Sequence, residues 1–335
     1  MNTVVKNKDV ETRIFAANDE NFNALALEIF RFQYQNNSVY QSYCDAIRVK
    51  PADINTITKI PFLPISFFKT HRVTSTEFVP EVIFESSGTT QTINSKHLVK
   101  QLDLYQSSFN KTFELFYGSP KDWCILALLP SYLERKNSSL VLMAEELIKS
   151  SKHSKSGFYL NEFDQLKEVL HQLEQAKQKT LLIGVTFALL DFTVAFPMQL
   201  QHTTIMETGG MKGRREEMTR QEVHAVLSEA FKTSAIHSEY GMTELLSQAY
   251  SKGNGIFNCP SWMKVLVREE DDPFEITAAT EKTVTGAINV IDLANIYSCS
   301  FIATEDAGRL YNDGNFEVLG RLDNTDIRGC SLMAL

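Results

Sequence analysis

Between Trp123 and Phe231 apolar runs of strand length alternate with helical patterns, and this alternation restricts the fold more than any other feature. Trp123 to Leu129 reads as a buried strand and Ser138 to Ile148 as a helix. Asn161 to Gln178 reads as a second helix through Leu166, Val169, Leu170 and Leu173. Leu181 to Val185 returns as a strand, Thr203 to Met206 supplies another, and Arg220 to Phe231 the next helix. Strand and helix in alternation imply a parallel or mixed sheet covered on both faces. The expected class is therefore α/β, a layered core of mixed sheets flanked by helices. From Ile256 the period shortens. Met263 to Val267, Ala287 to Ile291 and Phe316 to Leu319, with Asp313-Gly314 as a hairpin turn, predict a smaller antiparallel β subdomain.

Upstream, Asp19 is a candidate N-cap for a helix marked by Phe22, Leu25, Leu27, Ile29 and Phe30, and a second helix is expected over Val39 to Ile47. Pro51, Pro61 and Pro64 make the segment through Lys69 extended. Leu102, Tyr105, Phe109, Phe113 and Phe116 recur at helical spacing and Gly118 stands where a C-terminal cap belongs. That aromatic stripe reads as core. With no repeat or linker visible, residues 1–335 are read as one body, with α/β layers over 1–255, the β subdomain over 256–320, and a truncated hinge and tail over 321–335.

Several function classes are excluded by bulk properties. A net charge of −8 disfavours nucleic acid or an anionic membrane as the main partner. The most apolar window, Leu181 to Phe196, is too short for a comfortable span and carries Asp191, so no integral membrane segment is expected. Five scattered cysteines with no Cys-x-x-Cys pair fit reduced thiols, and the N-terminus has no apolar signal core; both point to the cytoplasm. His202, His224 and His237 lack any Ser-His-Asp spacing or Gly-x-Ser-x-Gly elbow and read as structural.

Five stretches carry chemistry. Val82 to Gln91 opens with an apolar run that reads as a buried strand and ends in Ser86, Ser87, Gly88, Thr89 and Thr90, whose hydroxyls and amides suit an anion, although a polar turn leaving a strand would look the same. It lacks the Gly-Lys-Ser/Thr ending of a P-loop. Glu207 to Gly213 is glycine-rich around Gly209 and Gly210 and either admits a flat ring or reverses the chain. Glu239-Tyr-Gly-Met-Thr-Glu244 combines Tyr240 for stacking, Gly241 for close approach, the Thr243 hydroxyl, and Glu244 as an oxygen ligand for a hard cation. Asp306 in Thr304 to Gly308 offers a carboxylate to ribose hydroxyls, and Arg321 in Gly320 to Gly329 a planar fork to phosphate.

In this order the stretches resemble the adenylate-forming superfamily of acyl-CoA synthetases, peptide-synthetase adenylation domains and luciferases. Within it the chain is most similar to the acyl-protein synthetase subunit of the bacterial bioluminescence fatty-acid reductase, which carries an Arg-Gly-Cys near its end, as in Arg328-Gly329-Cys330. The resemblance implies the fold of the large N-terminal domain of these enzymes, the C-terminal lid domain being absent. It implies ATP and Mg²⁺ as cofactors, and activation of a fatty or other apolar carboxylate as an acyl-adenylate that is passed to a thiol. By transfer of roles, Ser86 to Thr90 hold β/γ phosphates, Gly209 and Gly210 border adenine, and Tyr240 and Gly241 carry the stack. Thr243 and Glu244 serve the α-phosphate and Mg²⁺, and Asp306 and Arg321 the ribose. The implied partners are a small carboxylic acid and an acyl-accepting protein such as a reductase or carrier protein. An acyl-CoA or aryl-CoA ligase completed by a partner chain, and a non-catalytic nucleotide- or acyl-binding subunit, are the alternatives.

Two departures stand out. Gln91 to Asn94 replace the usual Gly-x-Pro-Lys, leaving Lys96 and His97 as substitutes. The chain also ends six residues after Gly329, where relatives continue for roughly a hundred residues and supply a catalytic lysine. Cys330, beside Arg328, is then the candidate thioester carrier, since a neighbouring cation favours thiolate. Incubation with ATP, Mg²⁺ and a fatty acid is expected to give an acyl adduct by intact mass; an adduct persisting in Cys330→Ser would refute the assignment.

Overall fold

The computed structural model describes residues 7–86, 93–130, 137–160, 162–209, 218–269, 274–277 and 283–322. Five parallel strands lie side by side in the order Gly157–Phe158, Cys124–Leu128, Thr180–Gly184, Thr203–Glu207 and His237–Tyr240. Every residue of Cys124–Leu128 and Thr180–Gly184 is buried. Successive side chains enter opposite cores. Ile125, Ala127, Leu181 and Ile183 pack on one face, and Cys124, Leu126, Leu128 and Leu182 on the other. Burial on both faces is why these strands read as unbroken apolar runs. Helices Leu102–Tyr117 and Ser139–Ser151 supply the first core, where Tyr105, Phe109 and Phe113 are buried as expected of the aromatic stripe. Phe163–Gln175, Thr186–Ala195 and Arg220–Phe231 supply the second through Leu166, Leu170, Phe192, Leu227 and Phe231. Capping defines where several of these begin and end. Ser138 accepts from the Val141 amide, Thr219 and Glu222 form a reciprocal capping box, and Gly118 ends its helix at φ +79°.

The expected antiparallel strands are present and join the same sheet. Ala249–Ser251 pairs with His237–Tyr240, and Ile256–Asn258, Phe316–Arg321, Phe301–Leu310, Val284–Asp292 and Met263–Arg268 follow in space. The carboxyl ends of the parallel strands are thereby tied by a hydrogen-bonded path to Phe316–Arg321. The proline-punctuated segment adds Leu63–Pro64 parallel to Ile302 and Ala303.

Three local expectations change. Asp19 does not cap the first long helix, which starts at Phe22; the Asn18 side chain instead accepts from the amides of Glu20 and Asn21. Val82–Glu85 is not a buried strand, because it pairs only with Lys96–Val99 in a separate two-stranded sheet and buries only Phe84. Asp306 lies inside Phe301–Leu310 rather than after it. Leu181 to Phe196 divides into a strand and a helix, and among the described residues no helix is long and apolar enough to cross a membrane. Leu182, fully buried between the helices of the second core, is the natural test of this packing. Leu182→Ala is expected to cost about 3 kcal/mol in urea unfolding without changing the denaturant slope.

Candidate functional site

In an open sheet with parallel strands, ligands bind beyond the carboxyl ends, where backbone leaves the ladder. Here Thr203–Glu207 runs into Thr208 and Gly209, and His237–Tyr240 into Gly241 to Glu244. Tyr240 is buried against Phe257 and Phe316, with ring centroids 5.8 and 5.4 Å away. Its hydroxyl donates to Asp306 Oδ2 at 2.8 Å, and Arg321 Nε lies 3.9 Å from Asp306 Oδ1. Burial pushes the Asp306 carboxyl upward, while the Tyr240 hydrogen bond and the Arg321 charge oppose it. Three residues from three sequence stretches thus meet, because Phe316–Arg321 pairs with Phe301–Leu310 and sets Arg321 opposite Asp306.

The segment after Tyr240 has no strand partner, so side chains satisfy its backbone. His97 Nδ1 lies 2.8 Å from the Thr243 carbonyl, and Asn295 Nδ2 donates to the Glu244 carbonyl at 2.7 Å. Asp292 accepts from the amides of Leu246 and Ser247 at 2.8 and 3.0 Å and from the Ser247 hydroxyl at 2.6 Å. Burial lowers His97 to about 4, so it is neutral and its Nδ1–H is the donor to Thr243. His97 therefore does not stand in for a phosphate-loop lysine. Lys96 is exposed and lies 3.6 Å from Glu85.

Ser86 is the described member of the expected phosphate cradle; Ser87, Gly88, Thr89 and Thr90 lie outside the described residues, as do Gly210 and Cys330. The Ser86 amide donates to the Ser95 carbonyl at 3.1 Å, and the Ser86 hydroxyl accepts from the Ser95 amide at 2.9 Å. Ser95 is itself buried, and its nearby hydroxyl works against the upward push of burial on the Glu244 carboxyl. Burial raises Glu244, offset by Ser95 and by the charges of Arg321 and Lys69. Ser95, which sequence reasoning passed over, therefore bonds Ser86 and lies near Glu244, 158 positions from Ser86. A single serine beyond the loop carries no pattern from which that role can be read.

Gly209 adopts φ +72°, and its amide donates to Glu207 Oε2 at 2.7 Å. A Cβ at Gly241 would lie 2.3 Å from Glu239 Oε1, so a side chain there would displace that carboxyl. The Thr243 side chain is partly exposed beside Glu244. Among the three histidines, His224 faces Ser238 Oγ at 3.2 Å and His237 faces the Tyr117 hydroxyl at 3.1 Å, both within the scaffold.

Comparison with known proteins follows this geometry. A model of the acyl-protein synthetase family LuxE matches residues 14–334. No curated protein matches the sequence. Among solved structures, 2-hydroxyisobutyryl-CoA ligase in an open conformation with 2-HIB-AMP and CoA superposes with a TM-score of 0.62 at 10% identity, covering 92% of this chain and 72% of that one. ATP-bound MatB from Rhodopseudomonas palustris gives 0.53 at 15% identity, covering 74% and 50%. At these identities the likeness is one of fold.

Glu239 was not anticipated as a site residue. Among the described residues no donor reaches its carboxyl, and burial, reinforced by the Glu207 charge, pushes it to about 8. A carboxyl raised in the folded state stabilises the fold below its ordinary 4.5 and loses that contribution as pH climbs to about 8. Glu239→Gln is therefore expected to gain thermal stability relative to the native chain as pH rises through this window, with a constant difference above it; a pH-independent difference in Tm would contradict the assignment.

Proposed function

Because this chain belongs to the LuxE acyl-protein synthetase family, it is an acyl-activating enzyme, and we propose that its site forms an acyl-adenylate from ATP and an apolar carboxylic acid. The reading is carried by one observation. The Tyr240, Asp306 and Arg321 cluster and the buried Glu244, near the bonded pair Ser86 and Ser95, lie at the same end of the sheet, joined by the five-residue segment Tyr240 to Glu244. In this reading Tyr240 offers its ring edge to adenine, while Asp306 accepts from ribose hydroxyls and Arg321 stays within reach of a phosphate oxygen. The solved neighbours described with 2-HIB-AMP and with ATP support a nucleotide on this fold.

An oxygen of the acid attacks the α-phosphorus of ATP, the bond to the β-phosphate bridge breaks, and pyrophosphate departs. Such a displacement needs positioning and charge neutralisation more than covalent help. Thr243 presents a hydroxyl to the α-phosphate from a segment whose carbonyl is held by His97. Glu244 would hold a Mg²⁺ ion through a carboxylate oxygen, a hard ligand whose charged form burial disfavours and a cation would favour. When bound, the ion neutralises phosphate charge.

A thiol then attacks the acyl carbonyl and AMP leaves. Burial pushes Cys44 and Cys259 to about 12 and Cys124 to about 11, and raises Cys299 as well, so these four are poor thiolates. Cys330 is the remaining cysteine, and we assign it the acyl group before transfer to an acyl-accepting protein. ATP–pyrophosphate exchange, measured over a panel of fatty and aromatic acids, tests adenylation. Acid-dependent exchange is expected, with Asp306→Ala reducing it at least about tenfold through the ATP KM; absence of exchange with every acid, acceptor protein included, would leave a binding protein instead.

A further inference from the structure

Glu207 and Arg220 bracket the glycine-rich turn, and neither role was visible in the sequence. Glu207 ends the strand Thr203–Glu207 with 4% of its surface exposed, yet it is charged. Burial pushes its carboxyl upward, but His224, Arg220, Ser238 and the Gly209 amide together hold it down to about 2. One oxygen accepts from the Gly209 amide at 2.7 Å and from the Thr186 hydroxyl at 3.2 Å. The other lies 3.3 Å from Arg220 Nε and 3.6 Å from His224 Nε2. A single carboxylate thus contacts both Gly209 and Arg220.

Arg220 carries the link onward. Its Nη1 donates to the Val318 carbonyl at 2.9 Å, in the strand that ends with Arg321. Its guanidinium lies 5.0 Å from the centre of the Phe257 ring, which packs on Tyr240 and stacks on Phe316. A cation at the first position of a helix opposes the helix dipole, so Arg220–Phe231 gains nothing from an arginine there. The fork is what the place requires. A lysine, with one compact head, cannot reach Glu207 and Val318 together while lying flat on an aromatic face.

We propose that Glu207 and Arg220 form a strut that fixes the Gly209 turn relative to Tyr240 and the Arg321 strand, and so positions the walls around the nucleotide base and ribose. Both are positioning residues, and the inference rests on the nucleotide site proposed above. The strut predicts loss of nucleotide affinity without loss of affinity for the acid. In the full chain, Glu207→Gln and Arg220→Lys are each expected to raise the MgATP Kd, by titration calorimetry, about tenfold, with the acid KM in pyrophosphate exchange changed less than about twofold. Because the two residues act as one unit, the double variant is expected to match the weaker single variant rather than the product of both. Unchanged Kd in folded variants, or ATP and acid affinities falling together with Tm, overturns the strut. If Glu207→Gln fails to fold, Arg220→Lys decides alone, and failure of both to fold overturns it. A native chain that binds MgATP without exchange refutes the activity while Kd still decides the strut; one that binds no nucleotide refutes both.

Discussion

Backbone that leaves a sheet inside a protein must find partners for every amide and carbonyl, and the segment from Gly241 to Gln248 is organised by that demand. It follows the last parallel strand and precedes the first antiparallel one, so it has no ladder of its own. Asp292 takes two of its amides, while Asn295 and His97 each serve one carbonyl. None of the three side chains comes from the segment itself. Asp292 and Asn295 sit at the end of Val284–Asp292, and His97 lies in the two-stranded sheet that leads out of the loop after Ser86. Thr243 and Glu244 are therefore held from the antiparallel half of the sheet on one side and from the two-stranded sheet on the other.

This arrangement explains why buried polar residues concentrate where they do. Burial alone would protonate Asp292, and it does push the carboxyl up, but three amides and a hydroxyl return much of what water would have provided. Glu207 is the stronger case, where a cation and several donors outweigh burial. Glu239 is the converse, a carboxyl one position before Tyr240 with no donor among the described residues, and its upward shift is what desolvation does unopposed. Carboxyls with such different environments, clustered at the ends of two adjacent strands, are characteristic of a site rather than of a scaffold. The scaffold itself is apolar, and its two cores need no help from charge.

The fold was legible because its signals are local. Arg220–Phe231 begins at a Thr-x-x-Glu capping box and ends where the apolar period stops, so the bounds read from sequence and the bounds observed coincide. Cys124–Leu128 and Thr180–Gly184 are apolar throughout because helices cover both faces. Val82–Glu85 misled for the same reason in reverse. An apolar run with only one covered face looks like a buried strand until the missing second layer is known. The site was legible in its residue types, since Tyr240, Asp306, Arg321 and Glu244 belong to stretches of unusual composition. The roles of Ser95, His97, Glu207 and Arg220 were not, because each acts through contacts to other elements that leave no local pattern.

By itself, the sequence determined the alternation that commits the chain to a covered sheet, the switch to short antiparallel strands, and the polar stretches to which a nucleotide is assigned in the proposed function. These follow from period, capping and composition, which are properties of neighbouring residues. Only the tertiary structure decided that Asp306 faces Tyr240 and Arg321, that Ser95 bonds Ser86 near Glu244, and that Arg220 spans two elements. Those pairings depend on strand order and register, set by burying two apolar faces at once, and no short stretch of chain contains that information.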